Sequence, residues 1–198
     1  MNTMAGEGLL QSVVQNGRGA NADADAVLKL SQTPTLLLSA ADIYARAGDE
    51  AKAEKLIAQA TSVRPDDQII GSVITPMIRA VIAMNHHDAT KAVELMKAGE
   101  PYDRANTESL YTRASALLMA GRGTEAAQEF QRLLDLKNGY PADLFVACAQ
   151  LGLARAYALQ GDKAKARTAY QDFLGAWKNA DADLPLLKEA QSEYAKLQ

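Results

Sequence analysis

The chain has few of the residues that hold together small disulfide-bonded or metal-bound folds. It contains one cysteine and two histidines among 198 residues. One cysteine cannot form an internal disulfide, and the adjacent His86 and His87 have no third histidine to complete a zinc site. We therefore interpret Cys148 as a buried, inert thiol and the two histidines as part of a solvated turn. No cofactor is expected.

Long hydrophobic runs are also missing. The most apolar stretch covers residues 69–84 and contains Pro76 and Arg79, whereas a membrane helix needs about 20 apolar residues. We predict a buried helix there and no membrane insertion, with Pro76 kinking or splitting the helix near residues 71–74. No charged-then-apolar leader begins the sequence, which favours a cytoplasmic location for the chain as written.

Charge of one sign is absent as well. The 21 basic and 24 acidic residues are interleaved and give a net charge of −3, which argues against nucleic acid as a partner because phosphate backbones require a basic face. Aromatic residues make up 6% of the chain, and there are 6 prolines. Glycine and proline fall at candidate turns, and no segment alternates like a strand, so we predict closely packed helices.

The sequence has none of the common catalytic motifs. There is no GxxxxGK[ST] phosphate loop and no GxSxG elbow, and the protein-kinase set of glycine-rich loop, lysine, HRD and DFG is missing. We therefore predict that this chain is not an enzyme.

What the sequence does contain is a repeated pair of amphipathic helices. In residues 147–174, apolar residues follow the i, i+3, i+4, i+7 rule on two successive segments. Gly161 suits the left-handed turn between them, and Asp162 can cap the second helix. Both apolar stripes are too wide for one hairpin to cover, which indicates a unit that stacks on copies of itself.

Copies of this unit recur upstream with four matching positions, which we call the register positions. Their first positions are 39, 34 and 40 residues apart, close to the 34-residue period of helical-hairpin repeats. In the copy that lacks glycine, we expect Asn85 to adopt the left-handed conformation and Asp88 to cap the next helix. The four sets are Tyr44, Gly48, Ala53 and Ile57; Ala83, His87, Ala92 and Met96; Leu117, Gly121, Ala126 and Phe130; and Tyr157, Gly161, Ala166 and Tyr170.

With these spacings the chain resembles the tetratricopeptide repeat family. The tryptophan and glycine that the family has early in its first helix are not found, so we interpret the repeats as degenerate. The resemblance implies an all-α, right-handed superhelix of about eleven antiparallel helices in a single domain, 1–198. Its predicted parts are an N-terminal partial repeat (1–33), repeats at 34–66, 67–100, 107–138 and 147–179, and a capping helix (184–198).

A narrower resemblance concerns the tails of bacterial serine/threonine protein kinases that carry such repeats. It rests on the run QLGLARAYALQGDKAKARTAYQDFLGAWKNADADLPLLKEAQSEYAKLQ and on two earlier runs, TPMIRAVIAMNHHDATKAVELM and LYTRASALLMAGRGTEAAQEFQRLL. It implies a regulatory or sensory tail whose catalytic domain lies outside this sequence. An extracytoplasmic location would follow if that kinase spanned a membrane.

The family resemblance also implies a protein or peptide partner on the concave surface, which the first helix of each repeat lines. The residues it places there are Asp42, Tyr111, Ser115 and Arg155. Arg79 and Arg113 occupy one position in successive repeats, and two interpretations stay open: guanidinium groups that reach acidic neighbours or solvent, or a site for an anionic ligand. The alternative function is self-association into a homodimer.

Overall fold

The computed structural model of the protein describes residues 19–102, 106–140 and 142–198, together with Val13. Ten α-helices occur in this part of the chain and none of its residues lies in a β-strand, so the predicted all-α class is confirmed. Apart from Val13, residues 1–18 of the predicted N-terminal partial repeat lie outside the described residues. The helices are α1 (Ala20–Leu30), α2 (Pro34–Arg46), α3 (Glu50–Val63), α4 (Thr75–Asn85), α5 (Ala89–Met96), α6 (Thr107–Met119), α7 (Gly123–Asp135), α8 (Leu144–Leu159), α9 (Lys163–Ala176) and α10 (Pro185–Ala195).

The chain divides into two compact units between Tyr102 and Asp103. In the first unit, α2 packs against α1, α3 and α4, and α4 packs against α5. Helix α2 is buried around most of its circumference, including the ring of Tyr44 and a run of alanines. Because alanine lets helices approach closely, these residues hold α2 at the centre of the unit.

In the second unit, α8 is the central helix. It packs against α6, α7 and α9, and α10 packs against α9. Nine of its sixteen residues are buried and they lie on every side of the helix, which is the pattern of a helix enclosed by neighbours. Each helix pair thus packs against an adjacent pair, as in a tetratricopeptide repeat solenoid.

The apolar stretch near Pro76 is split as predicted. Residues Ile70–Ile74 form a π-helical turn, and α4 begins directly after it, with Pro76 in its first turn. Proline has no N–H to donate and is tolerated at a helix start, so the regular helix restarts around it. Within the described residues, no helix has the length and apolar character needed to span a bilayer.

The four helix pairs α2–α3, α4–α5, α6–α7 and α8–α9 turn in the same way. The residue at the second register position has positive φ in each: Gly48 (86°), His87 (58°), Gly121 (75°) and Gly161 (79°). In each turn the next backbone N–H donates to the carbonyl of the first register residue, which is the Schellman pattern. These bonds are Asp49 to Tyr44 (2.8 Å), Asp88 to Ala83 (2.9 Å), Arg122 to Leu117 (2.9 Å) and Asp162 to Tyr157 (3.0 Å).

The prediction that Asn85 adopts the left-handed conformation is wrong. Asn85 is the last residue of α4, and its side-chain amide donates to the carbonyl of Ala45 at 2.7 Å. His87 takes the left-handed conformation instead, at the position where the other three pairs have glycine. The repeat spacing identified this position correctly, whereas the general tolerance of asparagine for positive φ did not.

Aspartates cap the second helix in three of the four pairs. The carboxylates of Asp49, Asp88 and Asp162 accept from backbone N–H groups three residues later, at 3.2, 2.9 and 3.1 Å. The predicted caps at Asp88 and Asp162 are therefore confirmed. The bond from the Lys165 backbone lowers the pKa of the Asp162 carboxyl. The fourth pair has Arg122 at this position, which gives no side-chain cap and pairs with Glu125.

Candidate interaction surface

Tyr111, on α6, lies at the edge of an aromatic cluster. Its ring centroid is 5.9 Å from that of Phe130 on α7 and 5.4 Å from that of Phe145 on α8. Edge-to-face and tilted contacts at these distances are favourable. Tyr111 is half-buried, so the cluster fixes the ring and leaves part of it accessible. Ser115 is one helical turn further along α6 and is also half-buried, so the two side chains share a face.

Arg155, on α8, is bound by the C-terminal helix. Its Nε lies 2.9 Å from a carboxylate oxygen of Glu193, and its Nη2 lies 3.0 Å from Glu189. Tyr170 of α9 donates its hydroxyl to the same Glu193 at 2.8 Å. Burial by itself lowers the pKa of Arg155, but its hydrogen bonds and ion pairs with Glu193 and Glu189 outweigh that effect and raise it. The guanidinium therefore stays charged and attaches α10 to α8.

Sequence reasoning missed the role of the two glutamates on α10. Both Glu189 and Glu193 lie on the helix that was predicted only as a cap, yet both bind Arg155. Their spacing of four residues places both on one face of α10. That spacing is the one sequence signal for the contact, and it does not reveal a partner 34 and 38 residues away.

Arg79 and Arg113 have different surroundings despite their shared repeat position. Arg79 is exposed and forms a two-point ion pair with Glu54 of α3, with both N–O distances at 2.9 Å. The hydrogen bond from Arg79 lowers the pKa of Glu54. The side chain of Arg113 is only 6% exposed, and its Nη2 binds Glu129 of α7 at 2.9 Å. Both guanidinium groups thus reach an acidic side chain of a neighbouring helix.

Asp42 lies in the interior of the first unit. It is 3% exposed, and its carboxylate accepts a hydrogen bond from Arg46 at 2.7 Å. A buried carboxylate in an ion pair mainly fixes the local structure, since its desolvation is offset only while the pair is intact. Its position gives a partner no direct access to this side chain.

The predicted residues therefore fall into two groups. Asp42 and Arg79 belong to the first unit, whereas Tyr111, Arg113, Ser115 and Arg155 belong to the second. In the second unit, α6 carries the first three of these and packs against α8, which carries Arg155. Accessible side-chain surface remains at Tyr111 and Ser115, and in part at Arg155, which is 28% exposed.

The histidine pair and the cysteine show no sign of a metal site in the described part of the chain. No group of three or more metal-binding side chains occurs among the described residues. His86 is exposed, with its Nε2 2.7 Å from Glu50, and Cys148 is buried.

Comparison with known proteins finds two segments of the chain that match repeat models. Residues 79–141 match a tetratricopeptide repeat model, and residues 149–180 match a second model of the same description. A curated relative is the tetratricopeptide repeat and J domain-containing co-chaperone DNJ1 of Fusarium oxysporum f. sp. lycopersici, which is 29% identical over 125 residues. The match covers 63% of this chain but only 23% of that protein. Together with the helix-pair architecture, the two model matches support the tetratricopeptide repeat family for this chain.

Proposed function

We propose that the chain is a non-catalytic module that binds a protein or peptide partner. The observation that carries this proposal is the pair of repeat matches over residues 79–141 and 149–180, which contain the α6–α7 pair and most of the α4–α5 and α8–α9 pairs. Stacked helical repeats present extended faces to a partner, and each repeat adds surface without requiring a catalytic centre.

The proposed contact face in the second unit contains Tyr111 and Ser115 on α6. Tyrosine anchors interfaces efficiently because it offers a large rigid area with a polar tip. Here Phe130 and Phe145 already hold its ring, so little conformational entropy is lost on binding. Arg155 would add a charge to this face only for a partner that competes with Glu189 and Glu193.

Site-specific photo-crosslinking tests this proposal. A benzoylphenylalanine residue at position 115 should give one discrete crosslinked protein in the native host. Tyr111→Ala should reduce the yield of that product by about threefold or more. A crosslinker at Lys163, an exposed position on α9, is the matched control and should not give the same product. Equal products from both positions would contradict the proposed face, provided that circular dichroism shows native helicity in each variant.

A finer proposal is that the module is the tail of a bacterial serine/threonine kinase. It rests on the resemblance of the three sequence runs given above and on nothing in the fold. The complete open reading frame tests it. A glycine-rich loop with HRD and DFG motifs ahead of this segment would support the proposal, and a different domain in that place would overturn it.

Self-association is the second candidate function, and one observation favours it. Met119 and Leu159 are 46% and 49% exposed, and each lies two residues after a first register position, Leu117 and Tyr157, on successive first helices of the second unit. Exposed apolar side chains in neighbouring turns can form part of an interface. Sedimentation should then show a dimer that Met119→Lys with Leu159→Lys dissociates; a concentration-independent monomer would exclude it.

A further inference from the structure

A groove runs along α8 on the side away from Arg155. Helices α7 and α9 form its two walls, and α8 forms its floor through Val146, Gln150, Leu153 and Tyr157. At 3.6 residues per turn these four residues lie on one face of α8, and Arg155 lies on roughly the opposite face. We call this cleft the α8 groove. Sequence reasoning placed the binding surface on the other side of the same helix.

One end of the α8 groove is apolar. It has a volume of about 460 Å³ and is lined by Leu134, Val146, Ala147, Trp177 and Ala180, among others. The small side chains of Ala147 and Ala180 leave the space open. Trp177 stacks on Phe173 with ring centroids 5.2 Å apart, so its ring forms a fixed wall. A space of this volume has room for a leucine-sized side chain together with part of the backbone that carries it.

The rest of the groove is polar and elongated. It has a volume of about 700 Å³, and its lining includes the side-chain amides of Gln131, Asn138 and Gln150 and the hydroxyl of Thr168. Amides and hydroxyls both donate and accept, so they match the alternating C=O and N–H groups of an extended backbone. From Val146 to Tyr157 the floor is about 16 Å long, which is enough for about five extended residues.

The charges in the α8 groove are balanced. Lys165 pairs with Asp162, and Asp135 accepts a hydrogen bond from Gln131. Within the described residues, the exposed Lys137 and Asp172 have no ion-pair partner, and both line the apolar end. Lys137 follows α7 and Asp172 is on α9, so one charge of each sign lies on either wall. A polyanion does not fit this balance, whereas a segment with an acidic and a basic residue beside an apolar one does.

We propose that the α8 groove binds an extended peptide segment with a leucine-sized anchor between an acidic and a basic residue. The anchor fills the apolar end, its charged neighbours pair with Lys137 and Asp172, and its backbone bonds to the polar lining. The site is separate from the face that carries Tyr111 and Ser115, so this proposal and the proposed function can fail independently.

The tryptophan content of the chain provides a direct assay. Trp177 is the single tryptophan and lies in the apolar end, so a peptide that fills this end changes its fluorescence. The probes are two acetylated, amidated heptapeptides, Gly-Ser-Glu-Leu-Lys-Ser-Gly and the form with glutamate and lysine exchanged, because either chain direction is allowed. At least one should give a saturable change below about 1 mM and bind about tenfold more tightly than its alanine-anchored version.

Three variants of the full chain test the assignment. Ala147→Gln fills the apolar end and should abolish the saturable response, whereas Ala51→Gln, at an exposed position of α3, should leave it unchanged. Lys137→Glu should weaken the preferred peptide by up to about fivefold and favour the exchanged one. Ser115→Glu, on the face assigned to the proposed function, should have no effect on peptide binding.

Two results would overturn the proposal. The first is no saturable response to either leucine peptide below about 1 mM in a chain with native helicity. The second is a response of equal affinity with the alanine-anchored peptide or in Ala147→Gln, because the apolar end would then not be the site.

Discussion

The helix pairs α4–α5 and α8–α9 share a register but meet the preceding helix in different ways. Helix α7 packs closely along α8, where a Cβ added at Gly152 would lie 2.3 Å from the ring of Phe130. Helix α3 approaches α4 at few points. Ile78 occupies the matching position in α4, five residues before its first register residue, and is fully buried. The missing side chain of Gly152 thus lets α8 approach α7 closely, whereas the matching position of α4 holds a large buried side chain.

Replacing Ile78 in the first unit with glycine, the residue at the matching position of α8, should have the largest effect on stability. Ile78→Gly removes a buried side chain and adds a helix-interior glycine, so we expect about 3–6 kcal/mol of destabilisation. Amide hydrogen exchange in α4 and α5 would measure the loss. Should that variant not fold, Ile78→Val should still cost about 0.5–1.5 kcal/mol. If Ile78→Gly left stability almost unchanged, the α3–α4 and α7–α8 crossings would be packed alike.

The reverse change tests the close crossing itself. Gly152→Ala forces the Phe130 ring to move, and we expect about 1–3 kcal/mol of destabilisation from overpacking. Urea unfolding followed by Trp177 fluorescence reports on the same unit. Gly175→Ala is the matched control, because that glycine is in α9 with no atom within 4 Å of the added Cβ. It should stabilise the chain by up to about 1 kcal/mol.

A second mutation sharpens this result. In a Phe130→Leu background the ring is gone, so adding alanine at position 152 should cost less than in the wild type. Additive effects of the two changes would show that Phe130 is not the group that Gly152 accommodates.

The turns within the α4–α5 and α8–α9 pairs also differ, and changes there should have a smaller effect on stability. His87 has φ of 58° where the α8–α9 turn has Gly161 at 79°. Because a side chain disfavours this conformation, His87→Gly should stabilise the chain by about 0.5–1 kcal/mol, and Gly161→Ala should destabilise it by about 1 kcal/mol. Thermal unfolding of both variants measures the difference. Destabilisation by His87→Gly would show that the imidazole makes a contact worth more than the backbone strain.

Much of the fold was predictable because local sequence determines it. Apolar spacing located the helices, and glycine and aspartate marked the turns and caps. The glycine of the close crossing was predictable only in general terms, since its effect depends on where the Phe130 ring lies. The family's glycine early in the first helix was not found in this sequence, and Gly152 in the middle of α8 was overlooked. Pairings between helices, such as Arg155 with Glu193, depend on how the pairs stack.

The α8 groove shows the same limit. Val146, Gln150, Leu153 and Tyr157 share a helical face that sequence alone reveals. That a groove lies over this face, however, depends on the separation of α7 and α9. The same limit applies to the proposed contact residues. Arg79 and Arg113 have one repeat position, yet Arg79 is exposed and Arg113 is buried. Repeat register predicts backbone geometry better than it predicts side-chain surroundings.

The last comparison concerns two tyrosines, one in each unit, and the way they make stability depend on pH. Tyr44 donates its hydroxyl to Asp25, and Tyr170 donates to Glu193. Burial, followed by the hydrogen bond to the carboxylate, raises the pKa of both. Above a pH of about 10 the unfolded chain loses these protons before the folded chain does, so it binds fewer protons and stability falls as pH rises. Below that pH both states keep the proton and the contribution is complete.

Replacing Tyr170 should therefore reduce the loss of stability that the second unit shows at alkaline pH. Tyr170→Phe removes a hydrogen bond to a charged group and lowers stability at neutral pH, by about 1.5–3 kcal/mol. Its urea midpoint, followed by Trp177 fluorescence, should nevertheless fall less between pH of about 8 and about 10.5 than that of the wild type. Lysine deprotonation is common to both chains and cancels in the comparison. Tyr140→Phe, at an exposed position, should keep the wild-type slope, and an equal slope in Tyr170→Phe would assign the alkaline loss to other groups.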